Sequence, residues 1–332
     1  MSNISIEDRA TGAIIGAYIG DALGLGPHWY YDLEEQHQHY GEWISDYTNP
    51  QPDRYHGGMK AGQSSQSGNI LSMLIDSLLT AGEYDESDFC SRLDNGLFPL
   101  LDGTPNIGPG NFTNQSIREA WALRTQQNKS WGELAGYADN TEAAERTLAL
   151  AVRYATCPEK LAKAISSNTH LTQCDENVHS TTVVYGAALS LLIQGHPLDV
   201  ELSDKLLNLF SNDNQPCQRR TPYETPSNIA QAARENLIQP VWKVSRVYGM
   251  SCAVNYQFPA CYYLASRFSD DFESAVLHAI NGGGQNMARA MLTGALVGAQ
   301  VGIQGIPERF IGGLENSTEL LNRAKKLAAS IS

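Results

Sequence analysis

No run of about 18 uninterrupted apolar residues occurs in the 332-residue chain, so the sequence offers no membrane span. Cysteines are few and scattered. Cys90, Cys157, Cys174, Cys217, Cys252 and Cys261 include no C-x-x-C pair, which argues against a zinc ribbon or a disulfide framework and fits reduced thiols. Basic residues are also scarce: 23 Lys and Arg stand against 36 Asp and Glu, a formal net charge of −13. That balance excludes the cationic surplus by which proteins hold nucleic-acid phosphates or anionic lipid. Met1 to Arg9 lack the basic start and apolar run of a secretory signal. The expectation is a soluble cytoplasmic protein with no nucleic-acid or membrane partner. Hydrophobic residues make up 42% of the chain and charged residues 18%, enough for a sizeable core and too little charge for disorder.

What is present is helical periodicity. Apolar and small residues recur at three and four from Ile6 to Leu23, and Ser5 with Asp8 reads as a capping box. Gly12, Gly16 and Gly20 fall on one face of this helix, as do Gly294, Gly298 and Gly302 in the apolar stretch Met287–Gly302. Interior glycine costs helix stability but lets another helix approach closely, so both helices are expected at one tightly packed centre where the chain ends meet. Gly26 to Met59 reads as an irregular excursion with at most a short helix, and Gly68 to Thr80 as a helix stopped by Gly82. Further helices are expected at Ser87–Asn95, Thr113–Gln127, Thr141–Tyr154, Pro158–Ser167, Val178–Gln194, Leu198–Phe210, Pro226–Leu237, Pro259–Phe268, Asp271–Ile280 and Ser317–Ala329. Ser130-Trp131-Gly132-Glu133 reads as one more helix start, and Val241–Tyr248 is the one stretch where a strand is considered. No Pro-, Gly- or Ser-rich linker divides the chain, so residues 1–332 are expected to form a single domain.

Three features in order resemble the ADP-ribosylglycohydrolase family: Gly12-x-x-x-Gly16-x-x-x-Gly20-Asp21-Ala22-Leu23-Gly24, the polar run Gln63–Ser67 before the second long helix, and Gly282-Gly283-Gly284 before the late glycine-striped helix. The resemblance implies an all-α, compact orthogonal multi-helical domain. It also implies hydrolysis of an N- or O-glycosidic bond at the ribose of ADP-ribose, assisted by a magnesium or manganese pair. The aspartates that active members use for those ions are replaced. Ser65-Gln66-Ser67-Gly68 stands where a Thr-Asp-Asp-Thr-type motif is expected, and Gly283-Gly284-Gln285-Asn286-Met287-Ala288 where a Gly-Gly-Asp-x-Asp-Thr motif is expected. A glutamate that follows the Gly-Asp-Ala-Leu-Gly run corresponds to His28. Ala61-Gly62-Gln63-Ser64-Ser65 and Gly284-Gln285-Asn286-x-x-Arg289 look closer to the divergent branch that contains the J-type crystallins.

Divalent pairs require oxygen-rich, mostly carboxylate shells, so the expectation is no metal and no cofactor. A metal-free glycosidase needs two facing carboxyl groups, and Asp21 is the one obvious candidate. It reads equally as a carboxylate bonded to a neighbouring helix end. His28 is the second catalytic candidate, as an acid–base group, or else part of an aromatic wall with Trp29, Tyr30 and Tyr31. Gln63, Ser64, Ser65, Gln66, Asn69, Asn111, His170, Gln285, Asn286 and Arg289 are the candidate contacts to a small ADP-ribose-like ligand. Gly282-Gly283-Gly284 reads either as a phosphate cradle or as a tight turn. Arg289 is read as pairing either with a pyrophosphate or with Asp21. His37 and His39 read as exposed loop residues, and Cys252 lacks a base that would make it a nucleophile. The functional expectation is a ligand-binding protein with weak, altered or lost glycohydrolase activity; the alternative is a crystallin-like structural protein with a vestigial pocket. The sequence names no protein partner.

Overall fold

The glycine stripes meet. In the computed structural model, which describes residues 4–210 and 221–332, a first helix and a late helix run antiparallel with their backbones in contact. A Cβ on Gly12 would lie 2.3 Å from the Gly298 carbonyl oxygen, one on Gly16 2.2 Å from that of Gly294, and one on Gly20 2.1 Å from that of Ala290. Only hydrogen fits at these positions, which explains glycine where it otherwise weakens a helix. Every residue of the first helix from Ala10 to Leu25 is buried, so it is the central element. Ser5 caps it, accepting the Asp8 N–H at 3.1 Å.

Around that seam the described residues form sixteen α-helices: α1 (Ile6–Leu25), α2 (Leu33–Tyr40), α3 (Gln66–Ala81), α4 (Glu86–Arg92), α5 (Gln115–Trp121), α6 (Glu142–Arg153), α7 (Pro158–His170), α8 (Glu176–Ile193), α9 (Leu202–Phe210), α10 (Thr221–Arg234), α11 (Val244–Tyr248), α12 (Val254–Arg267), α13 (Phe272–Asn281), α14 (Asn286–Val301), α15 (Glu308–Gly313) and α16 (Ser317–Ala328). The architecture is all-α, as expected. α12 and α13 pack on α14, while α3 and α16 join α6 on the other side of α1. Among the described residues there is no strand, only isolated bridges at Gly136–Gln173 and Asn140–Ala253. No helix is long and apolar enough to cross a membrane.

Several local expectations are corrected. Val241–Tyr248 is a 3-10 turn followed by α11. Pro259 and Pro226, expected at helix starts, lie inside α12, which begins at Val254, and α10, whose described residues run from Thr221. Ser130 does receive half of a capping box, since its N–H donates to Glu133 at 3.1 Å, but no helix follows. α4 and α5 are shorter than expected and end in π-helical turns at Leu93–Leu97 and Ala122–Gln126. Cys217 lies outside the described residues.

Candidate functional site

α1 delivers Asp21 to the first turn of α3. Its Oδ1 accepts the Ser65 hydroxyl at 2.5 Å and its Oδ2 the Ser65 N–H at 2.9 Å. Ser65 is the N-cap of α3, and its hydroxyl in turn accepts the Ser67 N–H at 3.0 Å. Asp21 is fully buried, and burial raises its pKa to about 6, with the two Ser65 bonds pulling the other way. Gly68 permits this arrangement, because a Cβ there would lie 2.6 Å from Asp21 Oδ2. Of the two readings of Asp21, the bond to a neighbouring helix end is the one the fold forms.

A second carboxylate, missed in the sequence, stands nearby. Glu145 of α6 is buried, accepts the Thr141 hydroxyl at 2.6 Å, and has its pKa raised to about 7. Burial is the main cause. Ser67 and Thr141 hydrogen bonds oppose it, while Glu142 and Asp21 add to it. Beyond Glu145 the polar layer continues, with Glu142 Oε1 buried in it without a hydrogen-bond partner. Gln66 donates to the Thr113 hydroxyl at 3.1 Å and accepts the Asn114 N–H at 3.1 Å. Asn140 donates to Asn114 Oδ1 at 2.6 Å. Glu142 and Arg146 form a buried ion pair, and Arg146 also reaches Asn168 Oδ1 at 2.7 Å and the Thr172 hydroxyl at 3.0 Å.

This layer is covered. Gly110, at φ +77°, sits so close over α3 that a Cβ would lie 2.7 Å from the Gln66 nitrogen. The Gly110 carbonyl meets His56 Nδ1, His56 Nε2 meets His28 Nδ1 at 2.6 Å, and His28 Nε2 meets the Gln285 side chain. With Gln285 Oε1 toward His28, both ends of this chain are acceptors, and two neutral rings hold one proton too few for three hydrogen bonds. Turning the Gln285 amide so that its nitrogen donates to His28 satisfies all three with both rings neutral, and we assign it so. Burial favours that state: it lowers His56 to about 4 and His28 well below the usual imidazole range, His56 adding to the effect on His28. His28 therefore has neither ring nitrogen free. His56 was missed because an isolated histidine in a long loop carries no sequence signal.

The remaining candidates separate. Arg289, fully buried, donates from Nε and Nη2 to the Ala279 carbonyl at 3.0 and 2.9 Å, and to the Gly283 carbonyl. It caps the end of α13 and forms no pair with Asp21; both Asp21 oxygens go to Ser65. Burial lowers its pKa to about 10. Asn286 donates to the Pro27 and Ile280 carbonyls at 2.9 and 3.1 Å. Gly283 and Gly284 have φ of +65° and +62°, and the Gly284 and Gln285 N–H groups donate to Tyr30 and Met250 carbonyls at 2.6 and 2.7 Å. The tight-turn reading is the one realised. Gln63, Ser64 and Asn69 line a cleft of about 370 Å³ with Gly110 and Arg323, just outside the covered layer. Asn111 donates to the Gly57 carbonyl at 2.8 Å. His170 lies at the end of α7 with its ring against His179 and belongs to none of these groups.

The expected aromatic wall does not form. Tyr30 is buried beneath the Arg54 guanidinium, 3.9 Å from its ring, Tyr31 is exposed, and Trp29 packs on His28, Tyr55 and Phe112. His37 and His39 lie on α2 rather than in a loop; His39 is exposed as expected, with the Tyr30 hydroxyl 2.7 Å from its Nδ1.

Where the resemblance puts a divalent pair, the donors are Ser65, Gln66, Ser67, Gln285 and Asn286, with Asp21 the adjoining carboxylate. Ser65 Oγ and Gln66 Oε1 are engaged in the bonds above, whereas Asn286 Oδ1 is buried without a hydrogen-bond partner and Gln285 Oε1, with its amide turned, faces away from His28. Among the described residues no three His, Cys, Asp or Glu side chains gather as a metal-holding group. Magnesium and manganese favour carboxylate-rich oxygen shells, and this donor set does not fit a pair of them.

Comparison with known proteins agrees with the geometry of the fold. The model of one family, ADP-ribosylglycohydrolase, matches residues 2–332. Crystallin J1A of Tripedalia cystophora is 24% identical over 339 residues, covering 99% of this chain and 98% of its own. The ADP-ribosyl-[dinitrogen reductase] glycohydrolase of Rhodospirillum rubrum is 23% identical over 329 residues, covering 96% and 94%. A solved structure of an ADP-ribosylglycohydrolase-related protein complex superposes with a TM-score of 0.70 at 19% identity, covering 99% of both chains.

Proposed function

The chain belongs to the ADP-ribosylglycohydrolase family, and from that premise we propose that it has given up metal-assisted hydrolysis and serves as a binder of an ADP-ribose-like or other ribosyl ligand. The observation that carries this reading is the Asp21–Ser65 pair: the carboxylate adjoining the motif positions has both oxygens bonded to the α3 N-cap. With one lone pair of each oxygen given to Ser65, and amides and hydroxyls rather than carboxylates at positions 65–67, 285 and 286, the negative charge that two divalent ions require is missing. The cleft beside Gln63, Ser64 and Asn69 is where polar groups remain accessible, and its size of about 370 Å³ lies within the range of small-molecule sites. We place the protein in the cytoplasm, working without a cofactor.

Incubation with ADP-ribosylated arginine and serine peptides, with and without magnesium or manganese, tests the loss of hydrolysis; metal-dependent release of ADP-ribose would overturn it. Thermal-shift titration with ADP-ribose tests the retained binding, because a ligand that binds only the folded state raises the melting temperature. A second reading, a crystallin-like structural role, draws support from the closed polar layer and from the crystallin relative. Absence of any shift with ADP-ribose, ADP and ribose 5-phosphate would favour it.

A further inference from the structure

A cavity of about 250 Å³ opens elsewhere, lined by His37, Glu42, Trp43, Trp242 and Asn281, and it shares no residue with the cleft or the covered layer. Its two indoles come from distant segments and are fixed to one place, the end of α13. The Asn281 side chain, 5% exposed, holds the stretch of loop that carries Trp43: Asn281 Oδ1 accepts the Ile44 N–H at 2.8 Å and its Nδ2 donates to the Ile44 carbonyl at 2.9 Å. Trp43 also packs edge-on against His278 of α13, ring centroids 5.0 Å apart. Trp242 is held on the adjoining residue. A Cβ on Gly282 would lie 2.8 Å from the Trp242 carbonyl oxygen, and Ser245 donates to the Gly282 carbonyl at 2.6 Å. Glu42 makes no hydrogen bond or ion pair among the described residues.

We propose that this cavity binds a small quaternary ammonium compound, its trimethylammonium group held by the Trp43 and Trp242 rings with the Glu42 carboxylate beside it. Indole faces attract cations through the ring quadrupole. A methylated cation suits the lining because side-chain acceptors are few: Asn281 Oδ1 already accepts the Ile44 N–H, indoles only donate, and the others are Glu42 and His37. A primary ammonium brings three N–H donors that need acceptors; a trimethylammonium brings none. The volume is below the roughly 300 Å³ at which pockets for drug-sized ligands begin, so it takes a headgroup with a short tail. Lys243 already places its ammonium 5.5 Å from the Trp242 ring centroid, so a bound cation competes with that side chain.

The test is a titration of the full-length, nitrogen-15-labelled protein with choline, followed through the indole N–H resonances. Its control is 3,3-dimethyl-1-butanol, the neutral isostere. Choline is expected to shift the Trp43 and Trp242 signals saturably and the isostere to leave them in place. Trp43→Ala is expected to weaken choline binding at least tenfold, Glu42→Gln several-fold, and Lys243→Ala to hold or strengthen it. All three positions are partly or fully exposed, so folding is checked by an unchanged melting temperature, and Glu42→Gln decides if Trp43→Ala does not fold. Equal shifts with the isostere, choline affinity unchanged in Glu42→Gln and Trp43→Ala, or no saturable shift at all would overturn the proposal.

Discussion

The α1–α14 seam and the polar layer at the head of α3 are both fully buried, yet they are built on opposite terms. In the seam, Gly12, Gly16 and Gly20 bring backbone against backbone, and nothing larger than hydrogen fits. In the polar layer the contacts run through side chains: Asp21 and Glu145 bond to the head of α3, Gln66 to Thr113 and Asn114, and Glu142 to Arg146. A seam set by sterics leaves no freedom to change residues, whereas a layer set by hydrogen bonds tolerates replacement wherever the new groups can be satisfied. On the proposed reading, that difference lets the family architecture persist while the residues at the head of α3 vary.

The sharpest way to break the comparison is through the buried ion pair. Arg146→Leu leaves Glu142 charged and unpaired in the interior, and the expected loss is about 3–5 kcal/mol by denaturant unfolding. Gly16→Ala attacks the seam instead. Its Cβ would meet the Gly294 carbonyl, and overpacking of this kind costs about 1–3 kcal/mol, seen as a lower urea midpoint at unchanged m-value. Gln285→Leu strips His28 of its Nε2 partner, with an expected cost of about 1–3 kcal/mol.

The polar layer also makes stability depend on pH. Burial raises Glu145 from 4.5 to about 7, so the folded state binds its proton more tightly than the unfolded state does. Its contribution to stability is greatest below pH 4.5, falls as pH rises toward 7, and is constant above. Glu145→Gln removes that slope. The melting temperature of the variant, measured relative to the unmodified protein, is expected to rise between pH 4.5 and 7; a difference independent of pH would show that Glu145 titrates normally.

The seam was legible because glycine at every fourth position of an apolar helix weakens that helix and is tolerated where another backbone comes close, and Ser5 and Gly82 mark ends by local chemistry alone. The polar layer was legible only in part. Asp21 and Ser65 were readable, but their bond joins residues 44 apart and follows from packing. Glu142, Glu145 and Arg146 were not legible, because charged residues on a helix ordinarily face water and only packing buries α6 from Glu142 to Val152. Pro259 misled because proline at a helix start is common, while this one is accommodated within α12. Arg289 misled because its partner is a helix end rather than a side chain.

The central claim is that amides and hydroxyls stand where a divalent pair would need carboxylates, and manganese titration by calorimetry reaches it most directly. The account predicts no saturable heat at micromolar metal, in the protein as it stands and in Asp21→Asn alike. Tight two-site binding that Asp21→Asn abolishes would contradict it.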